Sequence, residues 1–444
     1  MKSGAARMTR HCKIFFLYMV LVSLSFTPAT SAEEEYKFDI SEIEKEPYSL
    51  GGYIEFRPVL FGLDRDAALY KLRFFTRDEG KMIEEYNGKL QLEGSFEKGI
   101  ARLFVRTNFD LQYSYLGWER NDPERMIHEG YLSLKPIPSL SFKLGKQILL
   151  WGKGYAWNPV AFISRPKDPD DPELALEGYI TASVDYIKSF QGPLKTVSVT
   201  PVIFPVYKDI NDDFGKVNKL SFAGKLYLLL YDTDIDLMVM TGGSRTNRVG
   251  MDFSKNITTN LEVHGEFAFI NNQTKKVIDS QGNTSDSKFD AKSYLLGIRY
   301  LTESDTTFIL EYYRNGTGFS RSEMKDYFSF IAMGYDLFIT TGNDTVLKKA
   351  SQVTEGNYGR INPMQDYLYL RISQKEPFNI LYFTPAMTWI WNLNDKSFSL
   401  SPELLYTGIT NLEIRLKGTA IAGQKNTEFG EKQNDYRIEL RLRY

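Results

Sequence analysis

Residues 101–115 read ARLFVRTNFDLQYSY. Taken alternately, one set is Ala101, Leu103, Val105, Thr107, Phe109, Leu111, Tyr113 and Tyr115, and the other is Arg102, Phe104, Arg106, Asn108, Asp110, Gln112 and Ser114. Side chains two apart share a face of a strand, so the stretch is a ribbon apolar on one side and mostly polar on the other. The pattern recurs from about residue 50 to the last residue. At the end of the chain Tyr436, Ile438, Leu440, Leu442 and Tyr444 oppose Arg437, Glu439, Arg441 and Arg443. Leu412, Ile414 and Leu416 oppose Glu413, Arg415 and Lys417, and Leu261, Val263, Gly265, Phe267 and Phe269 oppose Glu262, His264, Glu266 and Ala268.

Half-apolar ribbons suit either a soluble sandwich, with the apolar face as core, or a membrane barrel, with that face against lipid. The segments here run roughly 10–16 residues, longer than soluble strands of about 5–6 and sufficient for a tilted span of about 9–11. Aromatics stand at segment ends on the apolar side (Tyr113, Tyr115, Tyr436, Tyr444), where interfacial girdles lie. Connections also alternate in length. Short ones fall near 97–99, 136–139, 255–260, 302–305, 374–379 and 407–411; longer ones fall near 116–125, 152–177, 207–218, 271–291, 315–365 and 422–434. Two links in the long series, near 242–245 and 392–397, are short. The reading is all-β: a transmembrane antiparallel up-and-down barrel. Counting segments gives about 19, and a single-chain barrel takes an even number, so about 18 strands (16–20) are expected, with the surplus assigned to a bend at 61–68. The outsized connection at about 315–365 either folds inward to narrow a pore or forms an outer lid on its neighbours.

Ahead of the ribbons, Arg7, Arg10 and Lys13 precede the apolar stretch Ile14–Phe26, and Thr30-Ser31-Ala32 supplies small residues. Residues 1–32 read as a signal peptide cut after Ala32, 33–48 as a short periplasmic segment, and 49–444 as the barrel. The chain has 444 residues, 54 basic and 56 acidic, and a net charge of −2, which excludes a polybasic nucleic-acid binder. Its one cysteine, Cys12, lies in the leader, so disulfides, haem-attachment motifs and thiol catalysis are excluded from the mature chain.

The terminal Tyr444, in phase with Leu442, Leu440 and Ile438, resembles the aromatic-ended last strand of Gram-negative outer-membrane barrels. The passage Gly145-Lys146-Gln147-Ile148-Leu149-Leu150-Trp151-Gly152, followed by Trp157-Asn158-Pro159, resembles a strand-to-loop passage in large porin-like barrels, including alginate-export-type ones. That resemblance implies residence in the outer membrane among lipid and lipopolysaccharide, with Tyr444 read as an assembly signal by the barrel-assembly machinery. Trp151 is expected either to anchor the rim at a lipid interface or to turn inward and stack on a solute.

The polar faces supply the expected pore lining: Arg57, Arg102, Arg106, Asp110, Glu129, Lys143, Glu262, His264, Glu266, Arg299, Glu311, Arg371, Glu403, Arg415, Lys417, Arg437 and Arg441. Charges on such a wall bias which ions enter. Glu262, His264 and Glu266 share a face, but at nearly 7 Å spacing they suit solvated wall positions better than one metal. Asp168, Asp170, Asp171 and Glu173, broken by Pro169 and Pro172, read as a solvated acidic loop, with a calcium or lipopolysaccharide contact as the other reading. No metal or cofactor is expected. Catalysis has only His128 and His264 to draw on, both placed in mid-strand, and no nucleophile-elbow or phosphate-loop motif. The expected function is passive diffusion of small hydrophilic solutes. The alternatives are a barrel sheath around a periplasmic or extracellular multihaem cytochrome, a polysaccharide export barrel, or an outer-membrane hydrolase.

Overall fold

A computed structural model describes residues 46–77, 79–114, 117–120, 126–172 and 177–444. The expected leader, Tyr115 and Glu173 lie outside these residues. Among them are 19 strands in one antiparallel sheet. The sheet closes where β1 (Tyr48–Leu63) pairs with β19 (Asn434–Arg443), with Phe56 opposite Leu442 and Val59 opposite Glu439. Tyr444 completes the seam, exchanging N–H···O bonds with Ile54 in both directions at 2.8 and 2.9 Å.

The wall has 18 strands. The odd one is β4 (Gly117–Arg120), which folds back on the end of β3 (Ala101–Ser114) while β3 itself pairs with β5 (Ile127–Ile137). β4 lies inside the connection read at 116–125, so the surplus of the segment count falls where it was expected, in the stretch around 61–68, which supplies one wall strand and not two. Phe61 to Leu63 belong to β1, and residues 68–74 beyond them form helix α1 (Ala68–Phe74).

Alternation sets which face meets what. In β13 (Thr284–Leu301) Ala291, Ser293, Leu295 and Gly297 are buried, while Lys292, Tyr294, Leu296 and Ile298 between them are exposed. Exposed Leu103, Leu144, Val239, Val249 and Ile438 belong to the same outward belt, whose apolar surface only hydrocarbon can cover favourably. The opposite face carries buried Glu55, Glu129, Asp236, Asp252, Glu403 and Arg441.

Connections at one end are tight: 99–100, 231–232 and 410–411 are two residues each. The other end carries the long ones. The stretch 271–291 is no loop, since β12 (Leu261–Ile278) and β13 pair out to Ile278 opposite Thr284. This hairpin rises past the belt, where neither face meets lipid, so it lacks the apolar alternation that marks a span. Most of residues 315–365 form the outer lid of the two readings, while Arg360 to Asn362 reach down to the lumen cavity. They form α2 (Arg321–Thr341) and α3 (Thr345–Val353). The Ser320 hydroxyl accepts the Glu323 N–H and the Glu323 carboxylate accepts the Ser320 N–H, a capping box; Gly342, in the left-handed region, ends the helix. Met324, Phe328, Ile331 and Leu347 pack with Ala68 and Phe429 from neighbouring connections, and Tyr358 stacks between Phe319 and Tyr327 at 4.0 and 4.2 Å.

Candidate functional site

The segment that turns into the lumen is the one after β6 (Leu140–Gln147), described over residues 148–172. Its geometry starts with two glycines. Gly152 has φ +99°, and a Cβ there would stand 2.7 Å from Glu266 Oε1; at Gly154 it would stand 2.1 Å from the Trp157 carbonyl oxygen. Only glycine lets the backbone approach this closely.

What it approaches is a pair of wall carboxylates. Glu266 of β12 accepts the N–H groups of Lys153 (2.6 Å), Gly154 (2.7 Å) and Val160 (3.3 Å), and the Asn158 amide at 2.9 Å. Glu311 of β14 (Thr306–Arg314) accepts those of Tyr155 (2.5 Å) and Ala156 (2.9 Å). His264 Nε2 lies 2.9 Å from the same Glu311, and Tyr155 donates its hydroxyl to Glu262 at 3.0 Å. Glu262, His264 and Glu266 are thus not solvated wall positions. His264 and Glu266 are buried beneath the segment they hold, and no three-residue metal cluster exists among the described residues. Trp157 plugs into the wall between Tyr313 (ring centroids 5.1 Å), Tyr367 and Tyr369, its indole N–H on Asn362 Oδ1 at 3.2 Å.

The acidic stretch then crosses to the opposite wall. Asp170 pairs with Lys417 at 3.0 Å and with Arg437, and accepts the Ser401 hydroxyl at 3.0 Å; Asp171 pairs with Arg441 at 2.6 Å. Burial opposes the Asp170 charge, but Lys417 and Arg437 outweigh it and hold the carboxyl down to about 2. Asp170 and Asp171 are therefore ion-paired inside the barrel, neither solvated nor free for calcium. Asp168 lacks such a pairing, and burial raises its carboxyl.

A cavity of about 1100 Å³ remains beside this segment. Of the expected lining residues, Arg106, Glu129 and Arg371 border it. Arg106 is spent on Glu93 and Glu129 at 2.8 and 2.6 Å, and Arg371 on Glu403 at 3.1 Å. The other expected residues sit elsewhere on the wall. Arg57 pairs with Glu439, Asp110 with Lys89, Arg299 with Glu262, and Arg415 with Glu403 and Glu413. Arg102 and Lys143 are exposed toward the tight-turn end, their cations over Phe104 and Tyr131.

The sequence reading missed Lys153, Arg165, Lys167, Arg245, Arg248 and Arg360, which also line the cavity. All but Arg248 belong to connections, where no alternation marks a face; Arg248 opens a strand. Four of them have no ion pair among the described residues. Lys167 is bonded to the carbonyls of Gly154 and Tyr155, Arg245 lies over the Phe214 ring at 3.9 Å, and Arg360 is bonded to Asn357 and Thr317 carbonyls. Arg248 Nε is buried with no hydrogen-bond partner. Burial lowers the pKa of the Lys167 ammonium, which Glu266 and Glu311 only partly offset.

Trp151 neither anchors a rim nor stands free for a solute. It is buried in an apolar cluster with Val160, Phe162, Tyr179 and Phe204. His128 is the second residue of β5, close to the long-connection end and bonded to Asn108, so it is not in mid-strand; His264, the fourth residue of β12, lies inside its strand as expected.

No family model and no curated protein matches the chain. Among solved structures it is similar to OccK11 (OpdR) of Pseudomonas aeruginosa, at 12% identity over 90% of this chain and 97% of that one, TM-score 0.48. It is similar to OprD of Pseudomonas aeruginosa at 12% identity over 89% and 94%, TM-score 0.47. A Rhodopseudomonas blastica porin shares 9% identity over 89% and 99%, TM-score 0.42. All three likenesses are distant ones.

Proposed function

We infer that this chain is an outer-membrane channel through which small hydrophilic anions diffuse passively. The observation that carries the reading is the cavity beside the inward segment, with Lys167, Arg245, Arg248 and Arg360 on its lining and no carboxylate paired to any of them among the described residues. Unpaired cations in a partly desolvated space favour an entering negative charge, because there is little bulk water to screen them. Eighteen strands give a bore wide enough for water, and the inward segment reduces it to small-solute size.

The same segment disfavours a sheath around a threaded cytochrome, since it is bonded to β12 and β14 on one side and to Lys417, Arg437 and Arg441 on the other. A polymer-export route meets the same obstruction. Hydrolysis finds little support either, because His264 is buried against Glu311. Tyr444, paired into the seam, remains the proposed signal for the assembly machinery.

The test is single-channel recording in planar bilayers under a salt gradient. Conductance with a reversal potential on the anion-selective side is expected, and the double variant Arg248→Gln, Arg360→Gln should move that potential toward neutrality. A cation-selective or non-conducting wild type would refute the reading.

A further inference from the structure

The outer lid and the basic cavity share one side chain. Arg360 stands where the lid returns to the barrel, and it lines the cavity. Its Nε donates to the Asn357 carbonyl at 3.0 Å, and one terminal nitrogen donates to the Thr317 carbonyl at 3.2 Å. Thr317 lies four residues before α2 and Asn357 four residues after α3, so the guanidinium clasps the two ends of the lid together. The other terminal nitrogen reaches only the Thr317 hydroxyl, at 3.5 Å. A guanidinium carries five N–H groups, and those left over face no carboxylate among the described residues.

Behind the clasp the lid is built as a stack. The guanidinium carbon lies 5.6 Å from the centre of the Phe319 ring; Phe319 stacks on Tyr358, and Tyr358 on Tyr327 of α2. The Tyr327 and Thr354 hydroxyls share a hydrogen bond at 2.6 Å, which ties α2 to the residues after α3. Two residues beyond Arg360, Asn362 accepts the Trp157 indole N–H, so the stretch that carries the clasp also meets the inward segment.

We propose that Arg360 couples the lid to the cavity: an anion held there by its guanidinium locks the lid in its seated position. The proposal rests on the anion-channel reading and adds a regulation of the same site. Its physical basis is linkage. Only the seated lid brings the Thr317 and Asn357 carbonyls together, and those two bonds fix the guanidinium at the cavity. An anion therefore binds the seated state more tightly, and by reciprocity its binding favours that state. Arg248 lines the same cavity from the wall strand β11 (Arg248–Asn256), so it adds affinity without clasping the lid.

The experiment is limited trypsin digestion of the folded barrel in detergent, across a millimolar series of inorganic phosphate at constant sodium chloride. Arg321, Lys325, Lys348 and Lys349 are exposed on the lid helices, and a helix must leave its seat before a protease can cut it. Rates are normalised to cleavage of a small peptide substrate, and each variant is first shown to be folded by heat-modifiable gel migration. In wild type, phosphate at ten times its midpoint should slow lid cleavage about tenfold. Arg248→Gln should reach the same final slowing with its midpoint at higher phosphate. Arg360→Gln loses the clasp and should be cut faster from the start, with no slowing at any phosphate concentration. That phosphate dependence is what a merely structural role for Arg360 would not produce. A wild-type rate that ignores phosphate, an Arg360→Gln rate that still falls, or an Arg248→Gln midpoint that does not move overturns the coupling alone, provided bilayer recording finds the wild type anion-selective. A wild type that is cation-selective or passes no current overturns the channel reading and the coupling with it.

Discussion

Removing the Glu266 carboxylate should release the inward segment, and the size of the effect can be worked from its bonds. Four donors converge on that side chain: the N–H groups of Lys153, Gly154 and Val160, and the Asn158 amide. In Glu266→Ala these donors lose a charged acceptor in a site with little water, at about 1–3 kcal/mol for each buried group left unsatisfied. The segment relaxes and Glu311 still holds Tyr155 and Ala156, so the sum does not apply in full. A net loss of about 4 kcal/mol shifts the docked-to-undocked ratio about a thousandfold. Glu266→Gln is the graded control. With its oxygen in the Oε1 position it keeps the bonds from Lys153, Gly154 and Asn158 and loses only the long one from Val160, about 1 kcal/mol. Limited proteolysis of the folded barrel in detergent reads the docking directly, because Lys153 and Lys167 are tryptic sites within the segment. Glu266→Ala should be cut there much faster than wild type, with Glu266→Gln between them, and its channel current should become larger and noisier. Equal cleavage rates for all three proteins would refute the claim that this carboxylate pins the segment.

The far anchor should be acid-sensitive. The folded Asp170 carboxyl lies at about 2 against an ordinary 3.8, so its contribution of roughly 2 kcal/mol is present above pH 4 and lost as pH falls through about 2. Protection of the segment from pepsin, followed from pH 4 to pH 2, should fall more steeply in wild type than in Asp170→Asn. The outer connection 423–433 should respond in the opposite sense. Burial raises the Glu428 carboxyl to about 7, where it accepts the Tyr367 hydroxyl and the Asn392 amide at 2.6 Å each. A carboxyl raised above its ordinary value stabilises the fold below that value and loses the contribution as pH rises through the folded one. Tryptic cleavage at Lys425 or Lys432, normalised at each pH to cleavage of a small peptide substrate, should therefore accelerate between pH 6 and pH 8 in wild type and stay level in Glu428→Gln.

The barrel was legible because lipid imposes one rule on every span. A strand facing hydrocarbon on one side and the lumen on the other must alternate, and residues 101–114 or 436–443 carry that rule without help from any neighbour. Where the rule does not apply, sequence reading failed for that reason. The hairpin at 271–291 stands beyond the belt with no apolar face to show, and Gly117–Arg120 pairs only with the end of β3. The polar faces were likewise found, but alternation cannot separate Glu129, which borders the cavity, from Glu311, which is buried under a loop backbone.

The amino-acid sequence by itself determined that the chain closes a wall of ribbons against lipid, and it marked Gly152, Trp157 and Asn158 as the place where a strand gives way to something unusual. The tertiary structure decided which connection enters the lumen. Residues 148–172 do so because Glu266, Glu311, Lys417, Arg437 and Arg441, on strands far along the chain, converge on them; the larger 315–365 segment finds apolar partners among the outer connections. The physical reason is range. Alternation is written within one strand at two-residue spacing, whereas a buried carboxylate meeting a backbone N–H more than a hundred residues away exists only once the cylinder has closed.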